Sequence, residues 1–101
     1  MMLLYITASG AKEAEKISRA LLDEKLIACA DFFESNSIYN WKGKRVKEKE
    51  FVIFAKTTEA KAAQAEKKVK EIHSYEIPCI IKIPVKANKE YEEWVEKEVG
   101  K

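Results

Sequence analysis

Three glycines and two prolines among 101 residues leave no glycine-rich loop of the kind that cradles phosphate. The two cysteines, Cys29 and Cys79, stand fifty residues apart with no C-x-x-C pair or Cys/His cluster. That excludes a disulfide scaffold and a zinc motif, and it points to a reducing, cytoplasmic setting. A single histidine, His73, rules out placing a hydrolytic triad. The longest uncharged run is the eleven residues from Met1 to Ala11, well short of the roughly 18 apolar residues a membrane helix needs. It has no basic stretch before it, as a secretion signal would. Asparagine and glutamine are scarce beside abundant Lys and Glu, a balance met in proteins of hot environments.

What is present is 47% hydrophobic and 36% charged, with a formal net charge of +2. One core suffices for such a chain, so residues 1–101 are expected to form a single domain. A surplus of two charges implies neither nucleic acid nor an anionic membrane as partner.

The apolar run from Met1 to Thr7 has strand length and ends at Ala8-Ser9-Gly10. From Lys12 to Lys25 the period changes, and Ala14, Ile17, Leu21 and Leu22 form one stripe of a helix. Leu26 to Phe33 returns to strand, and Glu34-Ser35-Asn36 reads as a bulge or bend before Ser37 to Trp41. A turn at Lys42-Gly43 leads into Lys44 to Ala55, making a long hairpin with a polar tip. Glu59 to Ile72 is a second helix, with Thr57 or Thr58 available to cap it. Ile77 to Val85 is a fourth strand, interrupted by Pro78 and Pro84, which favour its ends or a sheet edge. Asn88 opens a last helix with Tyr91, Trp94, Val95 and Val99 on its apolar face.

The halves echo each other, since Thr7 precedes Cys29 by the same interval that separates Thr57 from Cys79. Two right-handed β-α-β units joined by a hairpin make an α+β, ferredoxin-like β-α-β-β-α-β sandwich with a C-terminal helix. Both main helices then cover one sheet face, and the other requires a partner subunit.

Few residues carry chemistry. His73 closes a helix, where a cation meets the helix dipole. Cys29, inside an apolar run, is either a small buried hydrophobe or a soft ligand. Lys56-Thr57-Thr58 sets a cation and hydroxyls beside helix amides, which suits an anion as well as simple capping. An RNA-recognition motif is the main rival on this topology, with Tyr5 and Phe51 as stacking residues. Its third-strand signature fails at Lys47-Glu48-Lys49-Glu50.

Taken in order, Leu26-Ile27-Ala28-Cys29-Ala30, Ser37-Ile38-Tyr39 with Trp41-Lys42-Gly43, Glu50, Lys56-Thr57, His73 with Tyr75 and Pro78, and Tyr91 with Trp94 resemble the CutA family of divalent-cation tolerance proteins. The resemblance spans nearly the whole chain. It implies a tight, PII-like homotrimer, usually cytoplasmic, tied to copper and other divalent metals and without an established enzymatic reaction. It also implies a cleft between subunits, built here from Cys29, Trp41, Lys56, Thr57, His73, Tyr75 and Glu50.

This chain departs from the family in His73-Ser74-Tyr75-Glu76-Ile77-Pro78-Cys79, where a usual carboxylate is replaced by the Cys79 thiol, and in Ile6 and Ile72, which stand where some members carry copper ligands. The expected metal ligands are Cys29, His73 and Cys79, of types that suit copper. Trp41, Lys56, Thr57 and Tyr75 are the expected binding residues of the cleft. The alternative function is a PII-like signalling trimer that takes a small anion or metabolite in that cleft. Neither nucleic acid nor membrane is expected as a partner.

Overall fold

In the computed structural model, which describes residues 1–100, the first strand is β1 (Met2–Ala8). Its alternate residues Met2, Leu4, Ile6 and Ala8 are all buried, as a strand with one face on a core requires. Helix α1 (Ala11–Asp23) turns Ala14, Ile17 and Leu21 onto that face. The long hairpin follows as β2 (Cys29–Trp41) and β3 (Lys44–Thr57), then helix α2 (Glu59–Ile72), strand β4 (Ile80–Pro84) and helix α3 (Lys89–Val99). The sheet order is β2-β3-β1-β4 with every pair antiparallel. This is the expected ferredoxin-like α+β sandwich with a C-terminal helix.

Three local expectations are corrected. The polar stretch Glu34-Ser35-Asn36 makes no bulge, because Glu34, Ser35 and Asn36 pair in unbroken register with Phe51, Glu50 and Lys49. Its polarity reflects position, since these residues lie where the hairpin leaves the helices behind and exposed side chains replace core ones. β4 is shorter than Ile77 to Val85, and it pairs only with β1 at the sheet edge, where Pro84 is tolerated. Thr58 occupies the N-cap position of α2 but makes no capping bond, and its hydroxyl is buried without a partner. Thr57 donates its hydroxyl proton to the Leu26 carbonyl at 2.7 Å instead.

The hairpin turn is as read. Trp41 pairs with Lys44, and Lys42 (φ 51°) and Gly43 (φ 80°) both take left-handed conformations. Two positive φ values in a two-residue loop match the strand twist, and Gly supplies one of them at little cost.

The core under α1 and α2 is built on Leu4, Ile6, Ile17, Leu21, Ile27, Ile53 and Val69. A smaller cluster joins α3 to the chain through Ala28, Val95 and Val99, with Met1 and Tyr91 packed against it. On the opposite sheet face, strand alternation and register set Leu3, Tyr5 and Thr7 of β1 beside Glu50, Val52, Phe54 and Lys56 of β3. The same face carries Cys29, Asp31 and Phe33 of β2 and Ile81 and Ile83 of β4. Phe33 (46%), Ile81 (48%) and Ile83 (37%) are exposed there. Tyr5, Phe54 and Phe33 form an aromatic row across three strands, with centroids 5.7 and 5.6 Å apart.

Candidate functional site

The candidate residues divide between the two ends of the sheet. At the Ala8 end of β1, His73 closes α2 with its side chain fully buried. Its Nε2 lies 2.7 Å from the Thr7 carbonyl, and the Tyr75 backbone N–H reaches its Nδ1 at 3.0 Å. A carbonyl needs a proton on Nε2 and an N–H donor needs a lone pair on Nδ1. The ring is therefore the neutral Nε2–H tautomer with both nitrogens engaged.

The Tyr75 hydroxyl donates to Glu50 Oε2 at 2.5 Å. Burial, then the neighbouring Glu50 carboxylate, pushes that phenol far above its ordinary range. Glu50 itself is buried, and Ser35 donates to its backbone carbonyl. Cys79 belongs to the same end. Burial raises its thiol, the Glu50 charge raises it further, and a hydrogen bond with Thr7 pulls it partly back.

Glu13 fastens this end together, a role that sequence reasoning missed. Its carboxylate accepts the Ser9 N–H at 2.9 Å and the Ser74 N–H at 2.7 Å. Burial pushes its pKa up, but those amide bonds outweigh it and hold the group at about 2, below its ordinary 4.5. The signal available was an acidic residue in the first turn of α1, placed to reach back to a free N-terminal amide. Its second partner, Ser74, lies 61 residues away and leaves no trace in local sequence.

At the Met2 end stands Cys29, with Lys56 Nζ at 3.8 Å from its sulfur. The same ammonium pairs with Asp31. Burial lowers the Lys56 pKa, and the Asp31 carboxylate more than restores it. Tyr91 of α3 joins this group, its phenol raised by burial and then by Cys29. Thr57, expected in the cleft, points into the core and is fully buried. Trp41 stands at the hairpin tip with Lys42 over its ring at 5.7 Å.

The structure thus brings His73, Tyr75, Glu50 and Cys79 to one end and Cys29 and Lys56 to the other. Cys29 is level with Leu3 through Lys56, while His73 meets Thr7. Four strand residues separate the two levels, about 13 Å. Among the described residues of one chain, no three His, Cys, Asp or Glu side chains gather as a metal set. The rival stacking pair is also divided, since Phe51 packs against the core beside Phe32 while Tyr5 lies on the opposite face.

A four-stranded antiparallel sheet with two helices on one face, an added C-terminal helix and a long hairpin defines the ferredoxin-like class to which PII-like proteins belong. A structure of a PII-like CutA from Nostoc sp. superposes at a TM-score of 0.92 and 27% identity, over 98% of this chain and 97% of that one. The model of the CutA1 divalent ion tolerance protein family matches residues 2–98, and the chain belongs to that family.

The divalent-cation tolerance protein CutA of Archaeoglobus fulgidus is 40% identical over 97 residues, covering 95% of each chain. Its structure, described as that of a periplasmic divalent cation tolerance protein, superposes at a TM-score of 0.95 over 98% of this chain and 99% of that one. The protein of the same name from Pyrococcus horikoshii is 37% identical over 102 residues, the full length of both. No helix among the described residues is long and apolar enough to cross a membrane.

Proposed function

We propose that the chain is a non-enzymatic, homotrimeric protein that binds copper or a similar divalent ion where subunits meet. The observation that carries this is a coincidence of surfaces. Cys29, Lys56 and Glu50, with Tyr75 bonded to Glu50, belong to the sheet face that α1 and α2 do not cover. The exposed Phe33, Ile81 and Ile83 lie there too, and burying them against sister copies encloses the polar groups in the seam.

Both thiols are unpaired and half-buried. They are the soft donors, since each ring nitrogen of His73 already has a partner. His73 enters a metal site only by giving up Thr7 or Tyr75, so its part is to position the Cys79 segment. Copper titration by calorimetry into wild type, Cys29→Ser, Cys79→Ser and His73→Ala tests this. Weaker binding in the cysteine variants is expected. Equal affinity in all four contradicts it.

A second reading follows from the engaged imidazole. If metal ligation is unfavourable, the seam serves a small anion or metabolite, with Lys56, Tyr75 and Trp41 as contacts. A ligand that binds only the folded state raises the melting temperature. A shift with organic acids or nucleotides and none with copper favours this reading over the first. Unpaired thiols also support the cytoplasm as the compartment. Recovery of the protein in a periplasmic fraction contradicts that.

A further inference from the structure

Cys29 stands directly opposite Lys56 across the β2–β3 ladder, so both side chains leave the sheet on one face. Directly opposed positions hold their Cβ atoms about 5 Å apart. The Lys56 ammonium donates to the Cys29 sulfur at 3.8 Å. Its other partner is the Asp31 carboxylate, two residues along β2 on the same face. Tyr91 of α3 lies against the group. Cys29 is half-buried and the Lys56 side chain mostly buried, an enclosure that admits a small oxidant and keeps the nitrogen beside the sulfur.

The second thiol has no such neighbour. Cys79 lies among the Glu50 carboxylate and Thr7, so an oxidised sulfur there meets no amine. One thiol of the chain is thus paired with a nitrogen nucleophile, fixed by strand register, and the other is paired with oxygen acceptors.

We infer that Cys29 and Lys56 form a reversible sulfur–nitrogen cross-link when the protein meets hydrogen peroxide. Peroxide first transfers an oxygen atom to the thiol, leaving a sulfenic acid and a water. The Lys56 nitrogen then attacks the sulfur, and an S–N bond forms as the S–O bond breaks. Of the three ammonium protons, one passes to the Asp31 carboxylate to free the lone pair, one leaves with the hydroxyl as a second water, and one stays on nitrogen. Sulfur gives up two electrons and peroxide accepts them. A positioned intramolecular amine outruns a second peroxide for the sulfenic acid, which spares Cys29 the irreversible sulfinic state. A dithiol reverses the link: one thiolate takes the sulfur, nitrogen leaves as the amine, and the second thiol closes the reagent's disulfide.

The link removes the soft donor and the cation of the Met2 end together. It therefore switches that end off as a binding site, a consequence that rests on the binding reading above, whereas the link itself needs only one chain.

Cys79→Ser isolates the reaction. Treated with peroxide, it should lose two hydrogens in intact mass, yield a joined peptide containing Cys29 and Lys56, and return to its starting mass with dithiothreitol. Lys56→Arg in the same background keeps the cation but has no amine to give. It should instead gain oxygen at Cys29 and be labelled by dimedone, which traps sulfenic acid. A Cys29 that gains oxygen without joining Lys56 in the Cys79→Ser protein, a joined peptide that retains the oxygen, or a thiol that peroxide leaves untouched overturns the S–N link. Copper titration after peroxide is removed separates the two claims: affinity in the linked protein should fall about tenfold or more and recover on reduction. A link that forms with copper affinity unchanged overturns the switch and the binding role of Cys29, and leaves the link standing.

Discussion

The two ends of the sheet hold similar residue types in opposite states. At the Ala8 end, His73, Tyr75, Glu50, Glu13 and the serine amides satisfy one another. At the Met2 end, Lys56 divides itself between the Cys29 thiol and an Asp31 side chain that is 65% exposed. A buried, mutually satisfied polar knot fixes a loop and is costly to break. A cation that is itself mostly buried, with its side chain 19% exposed, but whose carboxylate partner is exposed costs less to alter and keeps a donor free for a ligand. The contrast assigns stability to the bonded knot around His73, Glu50 and Glu13, and recognition to groups outside it, Cys29 and Lys56 at the Met2 end and the free Cys79 thiol.

His73→Ala should test that contrast hardest. It removes a fully buried ring and strands the Thr7 carbonyl and the Tyr75 N–H. A loss of about 3 kcal/mol in denaturant unfolding is expected. A loss below about 1 kcal/mol, the range of an exposed pair, would erase the distinction between the ends.

Glu13→Gln should cost about 2 kcal/mol near neutral pH, allowing for the water that still reaches the carboxylate. The Glu13 pKa is lowered by folding, so its contribution is present above about 4.5 and fades as pH falls toward about 2. Stability curves for wild type and variant should therefore converge across that interval. A constant gap from pH 7 to pH 2 would mean that the Ser9 and Ser74 amides are not the cause.

Tyr75→Phe should cost about 1 kcal/mol by leaving the buried Glu50 carboxylate without its donor. Lys56→Met at the other end should change stability by less than about 0.5 kcal/mol, because its partner Asp31 is exposed. It should nevertheless alter ligand or copper binding measured by calorimetry. The reverse pattern, a large stability loss with unchanged binding, would make the Met2 end structural.

The order of elements along the chain, the bounds of α2 and the tight turn at Lys42-Gly43 were legible because each depends on local period or local φ preference. The Glu34-Ser35-Asn36 bend was misread because polarity on a projecting ribbon resembles a break in a strand. The equal spacing of Thr7 with Cys29 and Thr57 with Cys79 was visible, yet it concealed where the thiols go. Strands β1 and β3 run antiparallel, so related positions in the two halves fall at opposite ends of the sheet. Cys29 and Cys79 are separated for that reason. Thr57 and Thr58 both looked able to cap α2, but strand alternation had already turned Thr57 into the core. The engagement of both His73 nitrogens depends on Thr7, far away in sequence, and on a backbone amide that carries no residue signature.

Equilibrium sedimentation at micromolar concentration puts the covered-face account most directly at risk. A species of three times 11.6 kDa is expected, persisting on dilution because apolar burial of the Phe33, Ile81 and Ile83 face holds it. A folded, stable species of 11.6 kDa would contradict the account.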